Sequence, residues 1–204
     1  MEEVRELKEV LERVEGKLIA AGKIYAAINF AFWLLVMAIY YVVIGLTELP
    51  GWANGLYWGS AVVVAIFFIG KVWGRFVKLY RAVEKGGEIG RAWILPIVAS
   101  WMIGSVIGWG IIPRTSMAVN ETARLAVGFL TFIGISLLGQ WLVLTGGHWR
   151  EREMIPSFLL PLLAVPIAWK MENGAIVWAG FVVTVGFTAT VLLYLYSAFR
   201  AIER

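Results

Sequence analysis

The chain has 204 residues, of which 60% are hydrophobic and 16% charged, with a formal net charge of +4. That composition excludes a soluble domain that hides its apolar side chains in one core, and makes lipid the solvent. The absence of cysteine excludes disulfides, thiolate metal sites and Cys-attached haem, and the absence of aspartate excludes a Ser-His-Asp triad.

The first segment, residues 1–22, reads as an amphipathic helix on the cytoplasmic side. Val4, Leu7, Leu11, Val14, Leu18 and Ala21 recur three and four apart, which is a heptad seam. Arg5 and Glu9, Lys8 and Glu12, and Glu9 and Arg13 are opposite charges four apart, each pair adding about 0.2 to 0.5 kcal/mol to an isolated helix. Six Glu oppose four Lys and Arg in this segment, so anionic lipid would repel it. Its narrow seam suits another helix, with headgroup contact and a solvated helix as the alternatives.

Six uncharged stretches follow within residues 23–204, at 24–46, 49–70, 92–113, 125–147, 154–169 and 173–199. A hydrocarbon core about 30 Å thick is crossed by roughly 20 helical residues, which satisfy their own backbone groups. The predicted fold is all-α: a polytopic membrane bundle of six transmembrane helices behind an N-terminal cytoplasmic helix. Most of the cations lie on one side of the spans, and only Arg114, Arg124 and Lys170 on the other. The positive-inside rule then makes both termini cytoplasmic and the protein a multi-pass cell-membrane protein. Trp52, Trp58, Trp109, Trp169 and Trp178 fit the outer aromatic belt, and Trp73, Trp93, Trp141 and Trp149 the inner. Trp33 and Trp101 lie deeper, where helix packing is the expected role. The single Gln, four Asn and missing Cys echo proteins from hot environments. A charged start and a long first apolar run do not fit a cleavable signal peptide.

Span two ends in Lys71, Arg75, Lys78, Arg81 and Lys85, which are expected to snorkel to lipid headgroups. Residues 79–85 have an echo at 198–204, suggesting three two-helix hairpins in one orientation. Asn54, Asn120 and Asn173 stand at the outer ends of spans two, four and six as expected N-caps. Asn120-Glu121-Thr122 is also a glycosylation sequon, but its position against the bilayer favours capping. Span five is the shortest and holds Pro156, Pro161 and Pro166. A kinked span and a re-entrant segment are both open, and the second would move the C-terminus outside.

No acidic or basic side chain falls at the middle of a span, unlike in ion-coupled pumps and voltage sensors. His148, the only histidine, would need Glu ligands gathered from elsewhere to bind metal. Gly134-Ile135-Ser136 matches an intramembrane serine nucleophile only faintly, with no base at its depth. No catalytic, metal or cofactor-binding residue is assigned, and no cofactor is expected. Within the membrane the polar content is neutral: Ser100, Gly104 and Gly108 on span three, Ser136 and Gln140 on span four, Gly180, Thr184 and Thr188 on span six, and Asn29 on span one. Small-residue packing is the expected role, with Gln140 and Asn29 at matching depth for each other, and a neutral polar path is the alternative.

The expected function is a non-enzymatic membrane subunit that docks through Val4, Leu7, Leu11, Val14 and Leu18 to itself or to a membrane or cytoplasmic protein, as within a transport complex. An amphipathic helix before six spans is similar to permease subunits of transport ATPases in organisation alone; no motif carries their residues over. The alternatives are a channel or facilitator for a neutral or lipid-like solute and, third, a membrane-embedded enzyme. The anionic bilayer is an expected partner and nucleic acid is not, because the cations follow topology instead of forming a patch. The cation asymmetry has a direct test in a chain without cysteine. A membrane-impermeant thiol reagent added outside sealed cells should label Ser116→Cys and spare Lys85→Cys and Arg204→Cys; labelling of Arg204→Cys would reverse the C-terminal assignment.

Overall fold

The computed structural model describes residues 2–47, 50–83, 94–115, 118–145 and 151–203. Among them every regular element is helical: α1 (Glu2–Leu46), α2 (Gly51–Val83), α3 (Ile94–Ser105), α4 (Glu121–Thr145), α5 (Ile155–Trp169) and α6 (Ala175–Ile202). Beyond α3 the chain continues as a π-helical segment, Val106–Ile111, and a 3-10 turn, Ile112–Arg114; a second 3-10 turn, Arg152–Met154, leads into α5. Six helices are long and apolar enough to cross a membrane, so the architecture is an all-α, multi-pass helical bundle. Trp93, His148, Trp149 and part of the 79–85 echo lie outside the described residues. Two compact units emerge, Met1–Ile89 with Val191–Arg204, and Gly90–Thr190.

In the first unit the heptad segment and the first span form one uninterrupted helix of 45 residues, about 67 Å long at 1.5 Å per residue. No proline interrupts it, and its weakest helix formers, Gly16, Gly22 and Gly45, are isolated. One side of α1 meets α2. Tyr25 packs on Trp73 at 4.9 Å and Phe32 stacks on Phe68 at 5.5 Å, between ring centroids. The Tyr57 hydroxyl donates to the Val36 carbonyl at 2.6 Å, and that of Tyr40 to Asn54 Oδ1 at 3.0 Å. Asn54 is therefore a side-chain partner inside α2. Helix α2 starts earlier than expected, because the Pro50 carbonyl already accepts the Ala53 amide at 2.9 Å. The opposite side of α1 meets the end of α6: Phe30 stacks on Tyr194, and Lys23 Nζ lies 5.3 Å from the centre of the same ring. Farther out, a Cβ on Gly16 would stand 2.5 Å from the Ala201 carbonyl oxygen, so only glycine allows that approach.

In the second unit α4 lies between α3 and α5, and it is tied to α5 at both ends. At one end Asn120 Oδ1 accepts the Ala123 amide at 2.7 Å, capping α4, while its Nδ2 donates to the Glu172 carbonyl at 2.8 Å in the turn after α5. At the other end Trp141 Nε1 donates to the Glu151 carbonyl at 2.9 Å, just before α5. Helix α5 continues unbroken through both Pro161 and Pro166, and with the turn before it this stretch is long and apolar enough to cross a membrane. Helix α6 begins directly after Gly174, whose φ of 73° is open to glycine at little cost, so Asn173 stands one residue too early to be the cap. The π-helical turn has a local cause. An α-helical ladder would press the Pro113 ring against the Trp109 carbonyl, and the chain instead widens, with the Ile112 amide reaching back to the Ile107 carbonyl.

Because Asn120 combines a cap with a latch between two turns, its two roles are separable. Asn120→Ala should lower the thermal stability of the detergent-solubilised protein by about 1 to 2 kcal/mol. Asn120→Asp, which keeps the accepting oxygen and loses the donating amide, should lose less; equal losses would deny the cap.

Candidate functional site

The residues singled out inside the membrane gather mainly on the seam between α3 and α4. Ser100, Gly104 and Gly108 form one line on α3 and its π-helical extension, and opposite them stand Gly139, Ser136 and Gly128 of α4. A methyl group on Gly139 would lie 2.5 Å from Ser100 Cβ, and one on Gly108 would lie 2.5 Å from the Gly128 carbonyl oxygen. Gly104 fits against the Ser136 hydroxyl and the Phe132 carbonyl. Ser100 Oγ donates to the Ile97 carbonyl at 2.7 Å in its own helix and lies 3.2 Å from the Ser136 carbonyl. The Ser136 side chain is fully buried, and among the described residues its hydroxyl has no hydrogen-bond partner. The backbones therefore touch where a water path would need room.

Gln140 finds its partner on α3, where Trp101 Nε1 donates to its Oε1 at 2.9 Å. Trp101 also meets Phe132 edge-on, 5.6 Å between centroids. The single donor of the deep tryptophan is thus satisfied by the glutamine side chain, which removes the cost of a lone indole N–H in an apolar layer. Asn29 is half-buried on α1. On α6 the predicted line of Gly180, Thr184 and Thr188 runs from a buried glycine to an exposed threonine. A close approach is made by Gly186, whose absent Cβ would lie 2.9 Å from the Pro156 carbonyl oxygen of α5. Gly134 does the same on the α5 side of α4, against Leu162.

Outside the apolar spans, α1 carries the heptad seam. Val4, Leu7 and Leu11 are 72%, 62% and 59% exposed, and Val14 and Leu18 are half-buried. Arg5 pairs with Glu9 at 3.6 Å and Lys8 with Glu12 at 3.7 Å, two of the three pairs that spacing predicts, the pair of Glu9 with Arg13 not being among those formed between described residues; all four side chains are well exposed. Lys71, Arg75 and Lys78 are exposed on α2. Among the described residues no three His or acidic side chains gather where a metal ion could be held. Comparison of the chain with protein families, with curated proteins and with solved structures finds no match.

Several contacts escaped the sequence reading. Gly128 and Gly139 were legible as small residues in register with Ser136 on α4, at spacings of eight and three. Gly186 and the buried Thr190 carry no such signal, since small residues occur on several faces of α6. The close seam makes a quantitative test. Gly108→Ala drives a methyl onto a carbonyl that cannot move aside and should cost about 1 to 3 kcal/mol of stability. Gly110→Ala meets its nearest atom, Val106 Cγ1, at 4.0 Å, so it should stay within about 0.5 kcal/mol. Ser136→Ala removes an unpaired buried hydroxyl and should be neutral or stabilising in thermal unfolding.

Proposed function

We propose that the protein is a non-enzymatic integral membrane subunit that docks through its N-terminal helix to a second copy or to another protein. The observation that supports this most directly is the exposed row Val4, Leu7 and Leu11 on a segment too charged to enter lipid. Large apolar side chains aligned on one face in water mark an interaction surface when they are contiguous. Two ion pairs on the flanks hold the helix in shape without covering that row. Continuity with the first span supports the reading further, since a partner bound at the seam would be joined rigidly to the membrane domain instead of hanging from a loop.

The cation asymmetry orients this helix toward the cytoplasm, and its six Glu favour a protein partner over an anionic membrane surface. The neutral polar residues of α3 and α4 are engaged in close helix contact, so the solute-path alternative has no observation in its favour.

Replacing Leu7 and Leu11 with Glu should abolish docking while the membrane domain stays folded. Each buried leucine contributes about 1.5 kcal/mol or more, so the pair accounts for at least roughly 10²-fold in affinity. Mass measurement in detergent reads self-association, and pull-down from native membranes reads a foreign partner. Unchanged results in both, with the thermal stability of the variant intact, would remove the basis of the proposal.

A further inference from the structure

The second span ends in a cationic face that forms no ion pair among the described residues. Helix α2 contains no acidic residue over its whole length, and α1 contains none from Lys17 to Leu46, the part that runs beside it. Lys71, Arg75 and Lys78 are all exposed, and their spacing of four and three puts them on one face of α2. At that depth α2 packs on α1 through Trp73, which is two residues from both Lys71 and Arg75 and so about 160° around the helix from each. Gly70 and Gly74 accompany the cations, and nothing lies within 4 Å of a Cβ built on either, so bulky groups approach the helix there freely.

Depth identifies what this face meets. Trp52 and Trp73 bracket the span as interfacial tryptophans, and the 21 helical steps from one to the other cover about 32 Å, close to the thickness of the hydrocarbon core. Lys71 therefore enters at the edge of the hydrocarbon, from which a four-carbon stem reaches the phosphate level. Arg75 rises about 6 Å above it and Lys78 about 10 Å, which spans the headgroup layer of one leaflet. At that depth the side of these three exposed cations turned away from α1 would meet lipid. The chemistry that complements them is the phosphate of an anionic phospholipid.

We infer that the face of α2 formed by Lys71, Arg75 and Lys78 is a binding surface for anionic phospholipid headgroups. The fork of the Arg75 guanidinium suits bidentate contact with phosphate oxygens, and the two lysines add charge above and below it. This surface is independent of the N-terminal seam and of which side of the membrane it occupies.

The test uses the full chain in nanodiscs of mixed phosphatidylcholine and phosphatidylglycerol, with retained lipids counted by native mass spectrometry. Wild-type protein should retain phosphatidylglycerol in preference to phosphatidylcholine. The Lys71→Gln, Arg75→Gln, Lys78→Gln triple variant should lose that preference by about tenfold or more. The charge-preserving exchange Lys71→Arg, Arg75→Lys, Lys78→Arg should keep most of it. Should the triple variant fail to insert, Arg75→Gln alone is read against Arg75→Lys in the same way. An unchanged preference in the neutralised variant overturns the inference, and so does displacement of the retained lipid by millimolar glycerol phosphate, which would assign the surface to a soluble anion.

Discussion

Close backbone approach between α3 and α4 is the constraint on which the second unit depends. Lipid tails are as apolar as leucine, so two helices in a membrane gain little from hiding apolar side chains from their surroundings. They gain from contact, and contact improves as the backbones draw together. Ser100, Gly104 and Gly108 on one side, with Gly139, Ser136 and Gly128 on the other, provide a line along which nothing larger fits. Once α4 is held in this way, Gly134 on another of its faces admits Leu162 of α5, and the Asn120 and Trp141 hydrogen bonds secure both ends of that pair. The same closeness explains why the neutral polar groups here look structural. Trp101 gives its one donor to the Gln140 carbonyl oxygen, and the Ser136 hydroxyl is enclosed by the glycine line.

The first unit is organised differently, around one long helix. Helix α1 carries aromatic and tyrosine contacts to α2 on one side and the end of α6 on the other, and then runs on as a charged, exposed extension. Gly16 is the point where that extension passes closest to α6, against the Ala201 carbonyl. A helix that continues from a span and stays apolar along one exposed edge is the feature on which the proposed docking role rests. Its neighbour α2 presents a different surface, free of acids and rich in exposed cations, where lipid is the nearest complement.

The number of spans, the helical N-terminal segment, its two ion pairs and the Asn120 cap were all legible in the amino-acid sequence. Each depends on neighbours along the chain: a run of apolar residues, a spacing of four, or an amide three residues away. Tertiary structure alone decided which face of each span meets which neighbour. In a membrane helix nearly every face is apolar, so periodicity does not distinguish the side turned to protein from the side turned to lipid. That is why Gly186 and not Thr188 makes a close contact on α6, why Asn54 accepts from Tyr40 instead of capping α2, and why Gln140 pairs with Trp101, a residue whose depth alone gave no hint of a partner.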